Sequence, residues 1–260
     1  VVLIGTVYPI FLDVISSQKI SVGPPFYHKL IAPFLIPFLF AMAIGPRLKW
    51  IRSDLKDKIN LISLLVVSII ISFFIIKNFN TNILINTILI SSALYLFFIT
   101  LRDFFSKKYK NFAQNTAHFG FSLLILSILF NNLFSSEIIT NLKVGETYDN
   151  SKTKIVFESI NQKKEKNYKS IIANFNITNS EGINNNLSPE LRIYNQPNIT
   201  TSEADIKTTL MKDKFIVINL VQNQDYFNVR YQVKPFMLWI WLSVIMISFG
   251  GLVSFLQKRI

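Results

Sequence analysis

INLISLLVVSIIISFFII, residues 59–76, runs for 18 residues without a charged side chain. Wound as a helix it is about 27 Å long, close to the ~30 Å hydrocarbon core of a bilayer. The same reading extends outward to Leu30–Ile44, Asn82–Leu101, roughly Ala113–Phe134 and Phe236–Leu256. In Leu30–Ile44, Pro33 fits the first turn, where a missing N–H costs least. Pro37 lies inside and is expected to kink the helix, and Gly45-Pro46 ends it. Asn82 and Asn86 sit near the start of their span, where the interface hydrates them. The first run, Val1 to Leu12, is too short to cross. The chain is therefore expected to begin partway through a span, with partners of any site lying upstream.

Composition agrees. Half of the 260 residues are hydrophobic, and there are 24 Phe, no Cys and only two His. The lack of cysteine excludes a disulfide scaffold, thiolate metal sites and a Cys nucleophile. The net charge of +12 looks at first like a nucleic-acid signature. Residues 137–234, however, are nearly balanced, with 13 basic and 11 acidic side chains, against 14 and 4 elsewhere. The excess concentrates in Arg47, Lys49, Arg52, Lys56 and Lys58, in Arg102, Lys107, Lys108 and Lys110, and in Lys258 and Arg259. Basic loops flanking apolar spans set membrane orientation, whereas a nucleic-acid surface needs basic residues interleaved with aromatics on a soluble face. No nucleic-acid partner is expected. Placing all three clusters in the cytoplasm satisfies the span count.

Residues 137–234 then form a loop on the other side, and a long loop is exempt from the charge rule. Lys154–Ile160, Ser170–Thr178, Leu191–Tyr194, Lys214–Gln222 and Tyr226–Val233 alternate apolar and polar residues or are β-branched, and turn formers separate them. The expected fold is a polytopic α-helical membrane protein with a small extracytoplasmic β-rich domain inserted before the last transmembrane helix. Residues 1–136 are the helical region, 137–234 the β domain, and 235–260 the final helix and cytoplasmic tail.

His118 is the residue that invites chemistry. An ionisable group within a membrane helix is costly and faces a partner or a cavity, and neutral imidazole is a common axial ligand of haem iron. Gln114 and Asn115 lie one turn before it and Phe121 and Ser122 one turn after, on the same helical face. Polar groups on the water side and an aromatic deeper in would suit a flat macrocycle. The competing reading is a surface histidine bonding a carbonyl or a headgroup. His28, Trp239 and Trp241 read as interface anchors. The spans contain no carboxylate, which weakens a proton-coupled permease. A permease subunit and a non-catalytic assembly scaffold remain the alternatives.

Several strings, in order, resemble the cytochrome c-type biogenesis family CcmF. They are Gly5-Thr6-Val7-Tyr8-Pro9, Lys19-Ile20-Ser21-Val22-Gly23-Pro24-Pro25-Phe26-Tyr27, Ala117-His118-Phe119-Gly120, Thr201-Ser202-Glu203-Ala204-Asp205-Ile206, Lys234-Pro235-Phe236 with Trp239-Ile240-Trp241, and Gly250-Gly251. The resemblance implies the C-terminal part of a haem lyase that attaches haem to apocytochrome c. It also implies a transmembrane haem b with His118 as one axial ligand. The implied partners are the upstream part of the same protein, the haem chaperone CcmE, CcmH, apocytochrome c and quinol. The implied location is the bacterial inner membrane with 137–234 periplasmic, or a mitochondrial inner membrane for an organelle-encoded chain. The family's Trp-rich signature and its other histidine ligands have no match here. No role is carried onto His28, and this part by itself is not expected to be catalytically complete.

Overall fold

A computed structural model describes residues 2–16, 24–48, 58–79, 82–105, 112–180, 182–221 and 225–257. Most of the basic loop residues (Lys49, Arg52, Lys56, Lys107, Lys108, Lys110, Lys258 and Arg259) lie outside them, as do Lys19–Gly23. The chain divides into two compact units, Val1–Leu126 with Ser243–Ile260, and Ser127–Leu242.

Among the described residues the apolar runs form six helices: α1 (Val2–Ser16), α2 (Pro24–Ile44), α3 (Lys58–Ile76), α4 (Ile83–Phe105), α5 (Phe112–Phe134) and α6 (Met237–Gln257). Five of them, α2 to α6, are long and apolar enough to cross a membrane. α2 passes through Pro33 and Pro37 as one continuous helix and gives way at Gly45 to a short 3-10 turn, Gly45–Arg47. Asn82 starts α4 by accepting the Ile85 N–H on its side chain at 3.3 Å, as an N-cap does. Half of α4 is buried within the chain, more than twice the share of any other spanning helix. Packed against both α2 and α3, it is the central helix of the first unit. Elsewhere large side chains such as Ile62, Val66, Phe73 and Ile245 point outward. That pattern suits helices whose solvent is lipid. The buried hydroxyls of Ser68 and Ser72 bond the carbonyls of Leu64 and Ser68 in their own helix, at 2.7 and 2.6 Å, so they cost little in an apolar surrounding.

The second unit holds ten strands between Ser136 and Pro235: β1 (Ser136–Leu142), β2 (Thr147–Asn150), β3 (Thr153–Lys164), β4 (Tyr168–Asn179), β5 (Asn184–Leu187), β6 (Glu190–Asn195), β7 (Asn198–Glu203), β8 (Asp205–Thr208), β9 (Lys212–Leu220) and β10 (Phe227–Pro235). They make two antiparallel sheets, β1-β10-β9-β8 and β2-β3-β4-β6-β7, with β5 also on β4. The five expected strands are present as β3, β4, β6, β9 and β10. The other five escape an apolar-alternation reading because they are short or polar, as in Thr147–Asn150 and Asn184–Leu187.

Period-two alternation along β4 turns Ile171, Ala173, Phe175 and Ile177 inward, where they meet Ile216 and Ile218 of β9 and Val229 and Tyr231 of β10. Phe157 lies opposite Phe175 in register, with the rings stacked at 4.4 Å, and Phe227 meets Phe157 edge-on. Burial pushes the Tyr231 phenol up to about 12. At the surface, hydrogen bonds from Gln232 and Arg230 hold the Glu137 carboxyl below its ordinary range.

Phe157→Ala is expected to cost about 3–5 kcal/mol, read as lost amide-exchange protection across β3 and β4 in the full-length protein. Ile139→Ala on the exposed side of β1 should change protection there by less than about 0.5 kcal/mol.

Candidate functional site

His118 is the seventh residue of α5, about 9 Å along the helix from its start. It is half-buried, and no hydrogen bond of its imidazole is found among the described residues. What surrounds it is set by its neighbours on the helix, each of which turns to a different partner.

The Ala113, Ala117 and Gly120 side meets α6. A β-carbon placed on Gly250 would stand 2.7 Å from the Ala117 nitrogen, 2.8 Å from the Ala113 carbonyl oxygen and 2.9 Å from the Ala117 β-carbon. One placed on Gly120 would stand 3.0 Å from both the Ile247 nitrogen and the Met246 β-carbon. Small residues on both helices are thus what lets the backbones touch, as membrane helices do without a hydrophobic drive. Gly251 has open space around it, so only the first glycine of the pair is required.

A second side meets α4. Ser122 shares a 2.7 Å hydrogen bond with Thr100, both groups being buried. Asn115 donates from its side-chain amide to the Asp103 carbonyl at 3.1 Å. Phe119 stacks on Phe104 at 5.3 Å and lies 5.6 Å from Phe97. On the remaining arc Phe121 meets Phe38 of α2 edge-on at 6.0 Å, and Gln114 is exposed. At 100° per residue, His118 falls between the Asn115/Ser122 direction and the Phe121 direction, so it points between α4 and α2. The four neighbours singled out from the sequence do share its half of the helix. Asn115 and Ser122 are occupied in holding α4.

The ends of α2 and α4 meet close by. Both Nη atoms of Arg47 are engaged: Nη2 donates to the two carboxylate oxygens of Asp103 at 2.6 and 2.7 Å, and Nη1 to the Ala43 carbonyl at 2.7 Å. The side chains are 6 and 14 % exposed. The sequence reading ended this span at Leu101 and found no carboxylate within it. Continuation of α4 to Phe105 corrects that by bringing Asp103 into the helix, within electrostatic reach of His118. Arg47 accordingly clamps two helices, beyond contributing to the basic loop. A trace was visible in the sequence, since Asp103 is the one acid in a loop of four cations.

No group of three or more His, Cys, Asp or Glu able to hold a bare metal ion occurs among the described residues. A lone imidazole has a narrower capacity: it offers one nitrogen to an iron already held in a planar ring.

Removing one partner of the ion pair leaves a charge stranded away from water. Asp103→Asn and Arg47→Met are each expected to destabilise the full-length protein in detergent by on the order of 3 kcal/mol, measured by denaturant titration. The double replacement should cost less than either alone. Additive losses would show that the pair is not coupled.

Residues 133–235 match the family model described as the CcmF C-terminal beta-sandwich. Curated relatives align along essentially the whole chain. Cytochrome c-type biogenesis protein CcmF of Pseudomonas fluorescens is 26 % identical over 99 % of this chain, CcmF of Escherichia coli K12 23 % over 100 %, and CycK of Bradyrhizobium diazoefficiens 25 % over 100 %. This chain spans only 41 to 42 % of their length. A solved structure, Cytochrome c Heme Lyase CcmF, shares the fold with a TM-score of 0.72 over 97 % of this chain and 42 % of its own, at 19 % identity. The strings that resembled CcmF also have structural work here: Ala117 to Gly120 and Gly250 form the contact between α5 and α6. Residues 133–235 thus match the CcmF C-terminal beta-sandwich, and along its length the chain is similar to a part of CcmF and shares its fold.

Proposed function

We propose that the chain works in cytochrome c maturation, as part of a membrane haem lyase that joins haem to apocytochrome c, and that His118 supplies one axial ligand to a haem b. One observation carries this reading. A half-buried imidazole stands on a membrane helix with no hydrogen bond among the described residues, while the polar residues around it, Asn115 and Ser122, are bonded to α4. The ordinary way to make a histidine tolerable in a membrane is a hydrogen-bonded partner, and a metal-bound ring is the other.

The residues present fit one axial position. Imidazole must be neutral to bind iron. Gln114 and Phe121 flank the ring, one exposed and one packed on Phe38, and are proposed to line the porphyrin edge together with Asn115 and Ser122. When bound, haem b supplies one-electron redox chemistry. This chain's own part is positional. The α5–α6 contact fixes the backbone beside His118, the Thr100–Ser122 bond fixes the rotation of α5 against α4, and the phenylalanines keep water from that seam. A further iron ligand would come from the upstream part of the protein. The β unit carries no cysteine to compete for haem vinyl groups, and we assign it to docking partners.

Those partners are apocytochrome c, the haem chaperone CcmE and CcmH, with quinol as the electron donor. The setting is the inner membrane with residues 137–234 in the periplasm. The basic loops support that orientation, and the bacterial CcmF relatives support the setting.

In the purified full-length protein, His118→Ala is expected to lose most of a low-spin b-type haem spectrum at unchanged protein yield. His118→Gly should regain part of it when free imidazole is added. Full haem content and an unaltered spectrum in both variants would contradict the assignment.

A further inference from the structure

The turn between β8 and β9 carries Leu210 and Met211 at its tip, where a polar turn is the rule. They are 71 and 58 % exposed. The turn is not free to swing. Thr209 and Lys212 close it with reciprocal bonds, the Thr209 N–H and hydroxyl donating to the Lys212 carbonyl and the Lys212 N–H to the Thr209 hydroxyl oxygen. The tip is also tied to the start of α6. The Phe236 N–H donates to the Met211 carbonyl at 2.8 Å, and the Trp239 indole N–H to the Leu210 carbonyl at 3.0 Å.

That joint is held from a third direction. Asn131 near the end of α5 donates to the Pro235 carbonyl, and Phe130 packs on Phe236 at 5.5 Å. Phe236 itself is at φ 61°, a left-handed conformation that costs a bulky residue strain and persists only where its surroundings over-determine it. A strained junction bonded on several sides is a rigid one. The hairpin tip is therefore fixed beside the first turn of a helix that spans the membrane. Trp239 lies in that turn and Trp241 just after it, 63 % exposed, and tryptophans collect at the headgroup level. Lys207 and Lys212 flank the tip on the strands behind it, and Lys234 lies just before the helix, placed to meet phosphates while the apolar tip goes deeper.

We propose that the β8–β9 hairpin tip inserts Leu210 and Met211 into the lipid leaflet at the start of α6, so that the β unit is anchored to the membrane by a second apolar element besides its helices. The occupant is phospholipid acyl chain. The continuity of the tip with a membrane helix argues for lipid over a protein groove, since any partner at that depth would have to displace lipid.

The test uses the full-length protein, with cysteines elsewhere replaced by serine, in phosphatidylcholine nanodiscs. Leu210→Cys, Met211→Cys and a control, Ile183→Cys in the turn before β5, each carry an environment-sensitive fluorophore. Nitroxide groups on the lipid chains are expected to quench positions 210 and 211 at least threefold more than 183, with blue-shifted emission at both. Water-like emission and control-level quenching at 210 and 211 would overturn the proposal, whether the tip faces solvent or awaits a protein. Having two labelled positions guards against one that disturbs the hairpin, and neither readout depends on haem.

Discussion

The helical unit depends on how closely α5 and α6 approach. At Gly250 there is no room for a single further carbon against Ala113 and Ala117, and at Gly120 scarcely any against Met246 and Ile247. In lipid, helices gain nothing from hiding apolar surface from one another, so shape and hydrogen bonding must hold them. The contact sets the backbone of Ala117, and through it the position of the next residue, His118. Thr100 and Ser122 then fix how α5 is rotated against α4. The placement of the imidazole is a consequence of a glycine contact and a hydroxyl pair at neighbouring positions of the helix.

The same solvent explains the polar groups. A hydroxyl or a charge within the helical unit is either returned to its own helix, as in Ser68 and Ser72, or shared between helices, as in Thr100 with Ser122 and Arg47 with Asp103. The ion pair lies at helix ends, where its desolvation is least severe, and it joins α4 to the turn after α2. The β unit obeys a different rule. It is built around stacked Phe157 and Phe175 and an alternating sheet face, as a water-exposed sandwich is.

Much of this was legible in the sequence. Spans announced themselves by uncharged length, and most helix limits came within a few residues of those found, because a bilayer imposes one thickness on every span. The start of α2 did not, since Pro24 and Pro25 read as turn formers and instead open the helix six residues before Leu30. Strands were legible where alternation was apolar, as in Ser170–Thr178, and illegible where edge strands were polar, as in Asn184–Leu187. His118 stood out because histidine within a membrane is rare. Asp103 did not, since the span was expected to end at Leu101. What fixes its place is a partner 56 positions away, and no local pattern reports such a pairing. Nor does local pattern separate Gly250, which is pressed against α5, from Gly251, which is not.

That difference between adjacent glycines offers the most direct measurement: the b-type absorption spectrum of full-length Gly250→Val and Gly251→Val proteins at matched yield and monodispersity. The account predicts that the valine at 250 pushes α5 away from α6 and shifts or abolishes the low-spin haem signal, while the valine at 251 leaves it intact. An intact signal at 250, or an equal loss at both positions, would contradict it.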